Sequence, residues 1–498
     1  MKIAAKNTDV LKLKCNMLLI GLFEDDDSLN ILQARLDKEF KGILSSYLIK
    51  KEGFVGKFLD VSILPTYTKM DIDKILVVGL GKKDEFDLNK LRELFSRLYS
   101  QLDKIAGNKH VCTELMGLQE KKYTAFECAK AMTEGILLGS YNFDKYKSKK
   151  NEPKIANVEI VTGSTDEQRD AVRALKVAKV LANAQNFTRN LVNEPAAIAT
   201  PIRLSKIANE MADKFSNLQC KIYNKAEIEK LNFGAFLAVS QGSDVEPRLI
   251  HLKYSVPSPR KKIVIIGKGI TFDSGGLDIK PANSMLTMKS DMAGCATVLG
   301  VMRAIAEIEP EIELHAISAV CENMPSGNAY KQGDILTARN GKTIEIDNTD
   351  AEGRLTLADA LTYADELNPD EIIDIATLTG ACVVALGTNI SGIMGKNQAM
   401  INKIIKTGEN CGESLWQLPI QECMQDALKS DVADMKNSGT RNAGASVAGQ
   451  FLSNFVKCPN WAHIDIAGTA FLEKPHKELG KGATGTLVRT LINYVIAP

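Results

Sequence analysis

The run Lys262-Ile263-Val264-Ile265-Ile266 stops at Gly267-Lys268-Gly269, and polar residues follow at once. A strand buried on both faces reads as such an unbroken apolar run. Strands of that kind belong to parallel sheets whose faces are covered by helices. The pattern recurs at 314–320, 343–346, 372–376 and 464–466, with helical spacing at 293–306 and 355–366 between. Strands alternating with helices predict an α/β domain with a mostly parallel central sheet flanked by helices. In such sheets ligands bind in the loops beyond the strands' carboxyl ends. The chemically dense segments of this chain fall there.

The first third of the chain is a different object. Residues 1–150 hold 26 Lys+Arg against 21 Asp+Glu, a balance of +5; residues 151–498 hold 36 against 40, a balance of −4. A buried strand over 74–81 and amphipathic helices over 91–102 and 132–139 predict a second, smaller α/β domain. Gly79-Leu80-Gly81 lacks the third glycine and the acidic partner of a dinucleotide site, so a strand-to-helix turn is expected there. Lys145, Lys147, Lys149 and Lys150 read as a solvated basic face rather than a nucleic-acid site. Asn151-Glu152-Pro153 and Gly163-Ser164-Thr165 read as linker signals. A long helix over 166–190 begins with Asp166 and Glu167. The expected organisation is an N-terminal α/β domain over 1–164, a linking helix over 165–190 and a catalytic domain over 191–498.

The chain has 498 residues and a formal charge of +1, which does not suit a strongly basic nucleic-acid binder. Its ten cysteines form no C-x-x-C pair, so reduced thiols in a cytoplasmic protein are expected. Charge follows the first residues too soon for a signal peptide, and no apolar run is long enough for a membrane span. Only five histidines are present, so a metal site would have to rest on carboxylates.

Three segments concentrate functional groups. They are Gly267 to Lys280, Met288-Lys289-Ser290-Asp291-Met292, and Asp347-Asn348-Thr349-Asp350-Ala351-Glu352-Gly353-Arg354. Asp273, Asp291, Asp350 and Glu352 can converge from strand ends. Four carboxylates in a dry cleft repel one another, and divalent cations remove the conflict. Taken singly, each has an ordinary explanation; Asp291, for example, could cap the helix that follows it. Together they suit a two-metal hydrolase, and from the carboxylates alone a phosphoesterase is as open as a peptidase.

The string Asn348-Thr349-Asp350-Ala351-Glu352-Gly353-Arg354-Leu355 resembles the signature of the leucine aminopeptidase family, the cytosolic dinuclear-metal aminopeptidases. The other two segments resemble that family's remaining active-site segments, in the right order. Asn190-Leu191-Val192-Asn193-Glu194-Pro195, Ser430-Asp431-Val432-Ala433-Asp434, residues 461–468 and Gly482-Ala483-Thr484-Gly485 are similar as well. The resemblance implies that Lys268, Asp273, Asp291 and Glu352 ligate one metal, and Asp273, Asp350 and Glu352 a second. It implies that Lys280 is catalytic and that Arg354 holds a bicarbonate ion, which would act as general base. It implies two divalent cations (Zn²⁺, Mn²⁺ or Mg²⁺), peptide substrates with a free N-terminus, preferably leucyl or otherwise apolar, and attack by a bridging hydroxide. Met288, Thr377, Gly380, Ala467 and Ala470 would line the side-chain pocket, and the assembly would be a homohexamer. A lysine ligand is physically plausible only as the neutral amine, since an ammonium has no lone pair to donate. His463 lies in a strand pattern, where a core role is expected.

Overall fold

The computed structural model describes residues 1–46, 54–66, 70–103, 109–118, 122–150 and 154–497. The linker signal at Asn151-Glu152-Pro153 lies outside them. The chain forms two compact units: Met1–Asn183 with Pro475–Gly480, and Ala184–Lys474 with Lys481–Pro498. The helix Thr165–Asn193 contains the division between them.

The first unit is built on six strands: β1 (Lys2–Asn7), β2 (Cys15–Phe23), β3 (Val61–Pro65), β4 (Ile72–Gly81), β5 (His110–Glu114) and β6 (Asn157–Thr162). Their order is β1-β6-β5-β2-β4-β3, parallel throughout except for β3. Successive residues of β2 feed opposite faces. Met17 and Leu19 pack with Phe95, Leu98 and Met132 of the helices Leu88–Leu102 and Ala125–Gly139. Leu18 and Ile20 pack with Leu36 of the helix Ile31–Glu39. Those helices begin where the chain supplies caps: Asp87 accepts from the Lys90 amide, and Thr124 with Glu127 forms a capping box. The expectation for Gly79 is corrected. It lies inside β4, not in a turn, and a Cβ there would stand 1.9 Å from the Lys57 carbonyl. The glycine lets the preceding segment cross the strand. Lys145, Lys147, Lys149 and Lys150 are exposed.

The second unit carries a nine-stranded sheet. In chain order its strands are β7 (Leu218–Tyr223), β8 (Arg248–Tyr254), β9 (Lys262–Gly267), β10 (Gly269–Asp273), β11 (Glu313–Asn323), then, after β12 (Ile335–Thr337) and β13 (Thr343–Glu345), β14 (Glu371–Ala376), β15 (Ile390–Gly395), β16 (Ser414–Gln417) and, after β17 (Met435–Lys436), β18 (Trp461–Asp465). The middle of the sheet, β18-β14-β9-β11, is parallel, while β7, β8 and β15 make antiparallel pairs towards its edges. Strand β13 departs from expectation: it joins β12 and β17 in a separate three-stranded sheet. On one face Val264, Ile266 and Ile317 pack with Leu355, Leu361 and Phe451. The helix Ala293–Ile308 packs on β9, β11 and β14 as well. All ten cysteines are free thiols. Among the described residues no helix is long and apolar enough to cross a membrane.

Gly294, in the first turn of the helix Ala293–Ile308, sets how closely that helix approaches the sheet. A Cβ there would lie 2.2 Å from the Ile375 carbonyl and 2.7 Å from the Lys268 amide. Gly294→Ala would gain about 1 kcal/mol of helix propensity. The backbone clash outweighs it, since overpacking a tight site costs about 1–3 kcal/mol. The variant should therefore unfold at lower denaturant concentration, and an unchanged midpoint would contradict this packing.

Candidate active site

Lys268 directly follows β9, with its backbone clamped on both sides. Its amide donates to the Ile375 carbonyl of β14 at 3.0 Å, and its carbonyl accepts from the Cys295 amide at 2.8 Å. Asp273 closes β10. Asp291 follows a short 3₁₀ turn, and Asp350 and Glu352 lie between β13 and the helix Gly353–Asp365. The capping explanation for Asp291 fails, because the helix after it has Met292 at its N-cap and no side-chain cap bond. Glu352 does occupy an N-cap position, but its side chain makes no capping bond either.

The three segments meet. Lys268 Nζ lies 2.7 Å from Asp291 Oδ2 and 2.8 Å from Glu352 Oε1, and it donates to the Thr377 carbonyl at 3.0 Å. Lys280 Nζ lies 2.8 Å from Asp273 Oδ2 and 2.5 Å from Asp350 Oδ1. Ligand atoms of Asp273, Asp350 and Glu352 all fall within 4.8 Å of one another. Asp273, Asp291 and Glu352 are buried, and Asp350 is partly exposed. Four carboxylates thus face two ammonium groups, leaving a deficit of positive charge in a desolvated place. Glu352 Oε2 is buried with no hydrogen-bond partner. A hard, carboxylate-rich donor set with an idle buried oxygen fits divalent cations.

The electrostatics agree in direction. Burial pushes the Asp291 carboxyl well above its usual range, opposed by Lys268 and reinforced by Glu352 and Asp273. Burial, then the neighbouring charge of Asp273, raises Asp350 and Glu352. Burial works against the charge on Lys268 and Lys280. The surrounding carboxylates outweigh it, so both ammonium groups titrate above the ordinary lysine value. Here the lysines compensate the charge that cations would otherwise neutralise.

Arg354 is the second residue of the next helix and is buried, its guanidinium over the Phe451 ring at 6.0 Å. Among the described residues its one side-chain hydrogen bond runs from Nη1 to the Asn437 carbonyl, at 2.9 Å. Burial lowers its guanidinium to about 10, against the pull of Glu352, Asp347 and Asp465. Thr377 Oγ1 donates to Asp291 Oδ1 at 2.7 Å, which joins a residue of the expected pocket to the carboxylate cluster. Of the other expected pocket residues, Ala470 is buried, Met288 and Ala467 are half-buried, and open space lies beyond the Cα of Gly380. His463 lies in the sheet core. Its Nδ1 is 2.5 Å from Asp374 Oδ1, and Trp461 Nε1 donates to Asp374 Oδ2 at 2.7 Å.

Several residues that brace the site carry no sequence signal of their own. The Asn437 side chain accepts from the amides of Asp347 and Asn348 and donates to the Asn348 carbonyl. It extends the pairing of β13 with β17 along the loop of Asp350 and Glu352. Asp465 accepts from the Leu378 and Ala467 amides and the Thr379 hydroxyl, tying together two walls of the expected pocket. Asp278 accepts from the Thr349 amide, and its position inside the 267–280 segment is the one available hint.

The catalytic-domain profile of the cytosol aminopeptidase family matches residues 186–492, and the family's N-terminal-domain profile matches residues 19–150. A probable cytosol aminopeptidase of Sulfurihydrogenibium sp. (strain YO3AOP1) is 45% identical over 97% of this chain and 95% of its own length. One from Aquifex aeolicus (strain VF5) is 41% identical over 100% and 98%. Among solved structures, a tomato leucine aminopeptidase variant is 34% identical with a TM-score of 0.88, covering 100% of this chain and 96% of that one. A bottromycin maturation enzyme in complex with Mn is 30% identical with a TM-score of 0.84, covering 97% and 99%. The chain belongs to the cytosol aminopeptidase family and is a metal-dependent aminopeptidase, a hydrolase that acts at the N-termini of peptides.

Proposed function

We propose that two divalent cations sit among the carboxylates, one held by Lys268, Asp273, Asp291 and Glu352 and the other by Asp273, Asp350 and Glu352. Cations bound there supply Lewis acidity, polarising the scissile carbonyl and making water a competent nucleophile near neutral pH. The remaining work falls to side chains. Lys280, less buried than Lys268, would meet the oxyanion that develops on the carbonyl oxygen. Arg354 offers guanidinium donors to a small anion, and bicarbonate fits a site that needs a base while the carboxylates are occupied. Met288, Thr377, Gly380, Ala467 and Ala470 would form an apolar pocket of a size suited to leucine or methionine side chains. The substrate is a peptide with an unblocked N-terminus, and the assembly is a homohexamer in the cytoplasm, a state that sedimentation would test.

The observation that carries this reading is the meeting of four carboxylates, two lysines and an idle Glu352 oxygen in one buried place. The Mn-bound structural neighbour supports Mn²⁺ as the ion to test. The Mn²⁺-loaded chain should release leucine from a leucyl anilide and none from its N-acetylated form. Asp350→Asn removes a charged ligand of the second cation and should lower that turnover by about 100-fold or more, at least the loss that follows when only a ligand's supporting hydrogen bond is removed. Hydrolysis of phosphate esters with leucyl substrates untouched, or full turnover by the variant, would sink the proposal.

A further inference from the structure

Asn323 ends β11, directly opposite Asp273 in the register of β10 with β11, and it is completely buried. Its Nδ2 donates to Asp273 Oδ1 at 2.9 Å and to the Thr349 carbonyl at 3.1 Å. Both partners are acceptors only, so the amide nitrogen must face them and the orientation of the group is fixed. Its Oδ1 is buried with no hydrogen-bond partner. The side chain therefore uses both donor hydrogens on the site and leaves its acceptor unmet, an arrangement that burial penalises.

We propose that Asn323 is a positioning residue for the cation site: it orients Asp273 and ties that carboxylate's loop to the loop of Asp350 and Glu352. The inference rests on the two-cation reading given above, in which Asp273 serves both ions. Asp273 Oδ1 also accepts from the Gly275 amide at 2.9 Å, so two neutral donors hold that oxygen. The carboxylate then presents Oδ2, the atom that Lys280 meets, towards the cluster. Thr349 immediately precedes Asp350, so the second donor of Asn323 holds the start of the other ligand segment. A neutral donor is what this place requires. A lysine or arginine would add a cation competing with the metals, and an aspartate would repel Asp273. The Asn323 backbone adds to the grip, since its carbonyl accepts from both the amide and the hydroxyl of Ser274.

The test is Mn²⁺ binding to the full-length, metal-free chain, read by calorimetry or by the paramagnetic signal of free Mn²⁺. Asn323→Leu keeps the volume and removes the donors; Asn323→Ala serves should the first fold poorly, and thermal melting of the metal-free chains reports on folding. Tyr330→Phe is the control. It deletes the other side-chain bond to the Thr349 carbonyl, 2.7 Å long, without touching Asp273. Loss of a hydrogen bond behind a ligand weakens metal affinity by about 10–100-fold. That drop is expected for both Asn323 variants and a smaller one for Tyr330→Phe. Unchanged Mn²⁺ affinity in a folded Asn323 variant would overturn the inference, as would an equal loss in Tyr330→Phe, which would reduce Asn323 to general support of the loop. Absence of Mn²⁺ binding by the unaltered chain would instead overturn the two-cation reading, and this inference with it.

Discussion

Replacing Lys280 by methionine should lower kcat by about 10²–10³-fold, the effect of removing one group aimed at a developing oxyanion. It should not weaken Mn²⁺ binding. The second half of this expectation follows from geometry. The Lys280 ammonium sits 2.8 Å from Asp273 Oδ2 and 2.5 Å from Asp350 Oδ1, oxygens of two carboxylates proposed to hold the cations. Without ions it neutralises carboxylates that would otherwise repel each other, which is why it titrates above an ordinary lysine despite its burial. On the two-cation reading lysine and cation compete for the same carboxylates, and cations bound there would free the lysine to meet the substrate. Methionine keeps the apolar stem and removes the competitor, so affinity for Mn²⁺ should hold or tighten. Steady-state kinetics on a leucyl anilide and titration of the metal-free variant read the two effects separately. A variant with weakened Mn²⁺ affinity and little change in kcat at saturating Mn²⁺ would make Lys280 a structural member of the site instead of a catalytic one.

The parts of the site legible in the sequence are those fixed by local rules. Strand β9 is legible because a strand buried on both faces must be apolar throughout. Its carboxyl end is legible as a site because loops beyond parallel strands are where ligands fit. Asp350 and Glu352 are legible because their segment is dense in charge between a strand and a helix. Asn323 and Asn437 are not. Each looks like an ordinary loop or strand-end asparagine, and each acquires its role from a partner far along the chain: Asp273 lies 50 residues from Asn323, and Asp347 90 from Asn437. Strand β15 is hidden for another reason. Its sequence, Ile-Ser-Gly-Ile-Met-Gly, carries two glycines that argue against a strand. A Cβ on Gly395 would strike the Trp461 carbonyl at 2.3 Å, so that glycine serves close packing against β18, which no local pattern reveals. Strand β13 is legible as a strand, but its sheet is decided by pairing with β12 and with β17, the latter some ninety residues away.

Loading the metal-free chain with Mn²⁺ should release protons, and the affinity should climb as pH rises. Lys268 carries this expectation. Its Nζ lies 2.7 Å from Asp291 and 2.8 Å from Glu352. Burial opposes its charge, but Asp291, Glu352 and Asp273 more than compensate, so the metal-free chain holds it as an ammonium. An ammonium has no lone pair, and a lysine that ligates must first lose its proton. The sign follows. As the proposed ligand, Lys268 is protonated in the free chain and would be deprotonated in the bound one, so protons would compete with metal and raising the pH would favour binding. Each proton released contributes about a tenfold gain in affinity per pH unit. Asp291, Asp350 and Glu352, which burial raises above the usual carboxylate range, add to the release where they are partly protonated. Calorimetric titration in buffers of contrasting ionisation heat counts the protons directly. Lys268→Met removes the ligand that must be deprotonated at every working pH, so the count should fall by one as the affinity drops. Should Mn²⁺ bind the unaltered chain with no proton released and a flat pH profile, Lys268 would remain an ammonium in the loaded site. Its part would then be to neutralise Asp291 and Glu352, not to hold a cation.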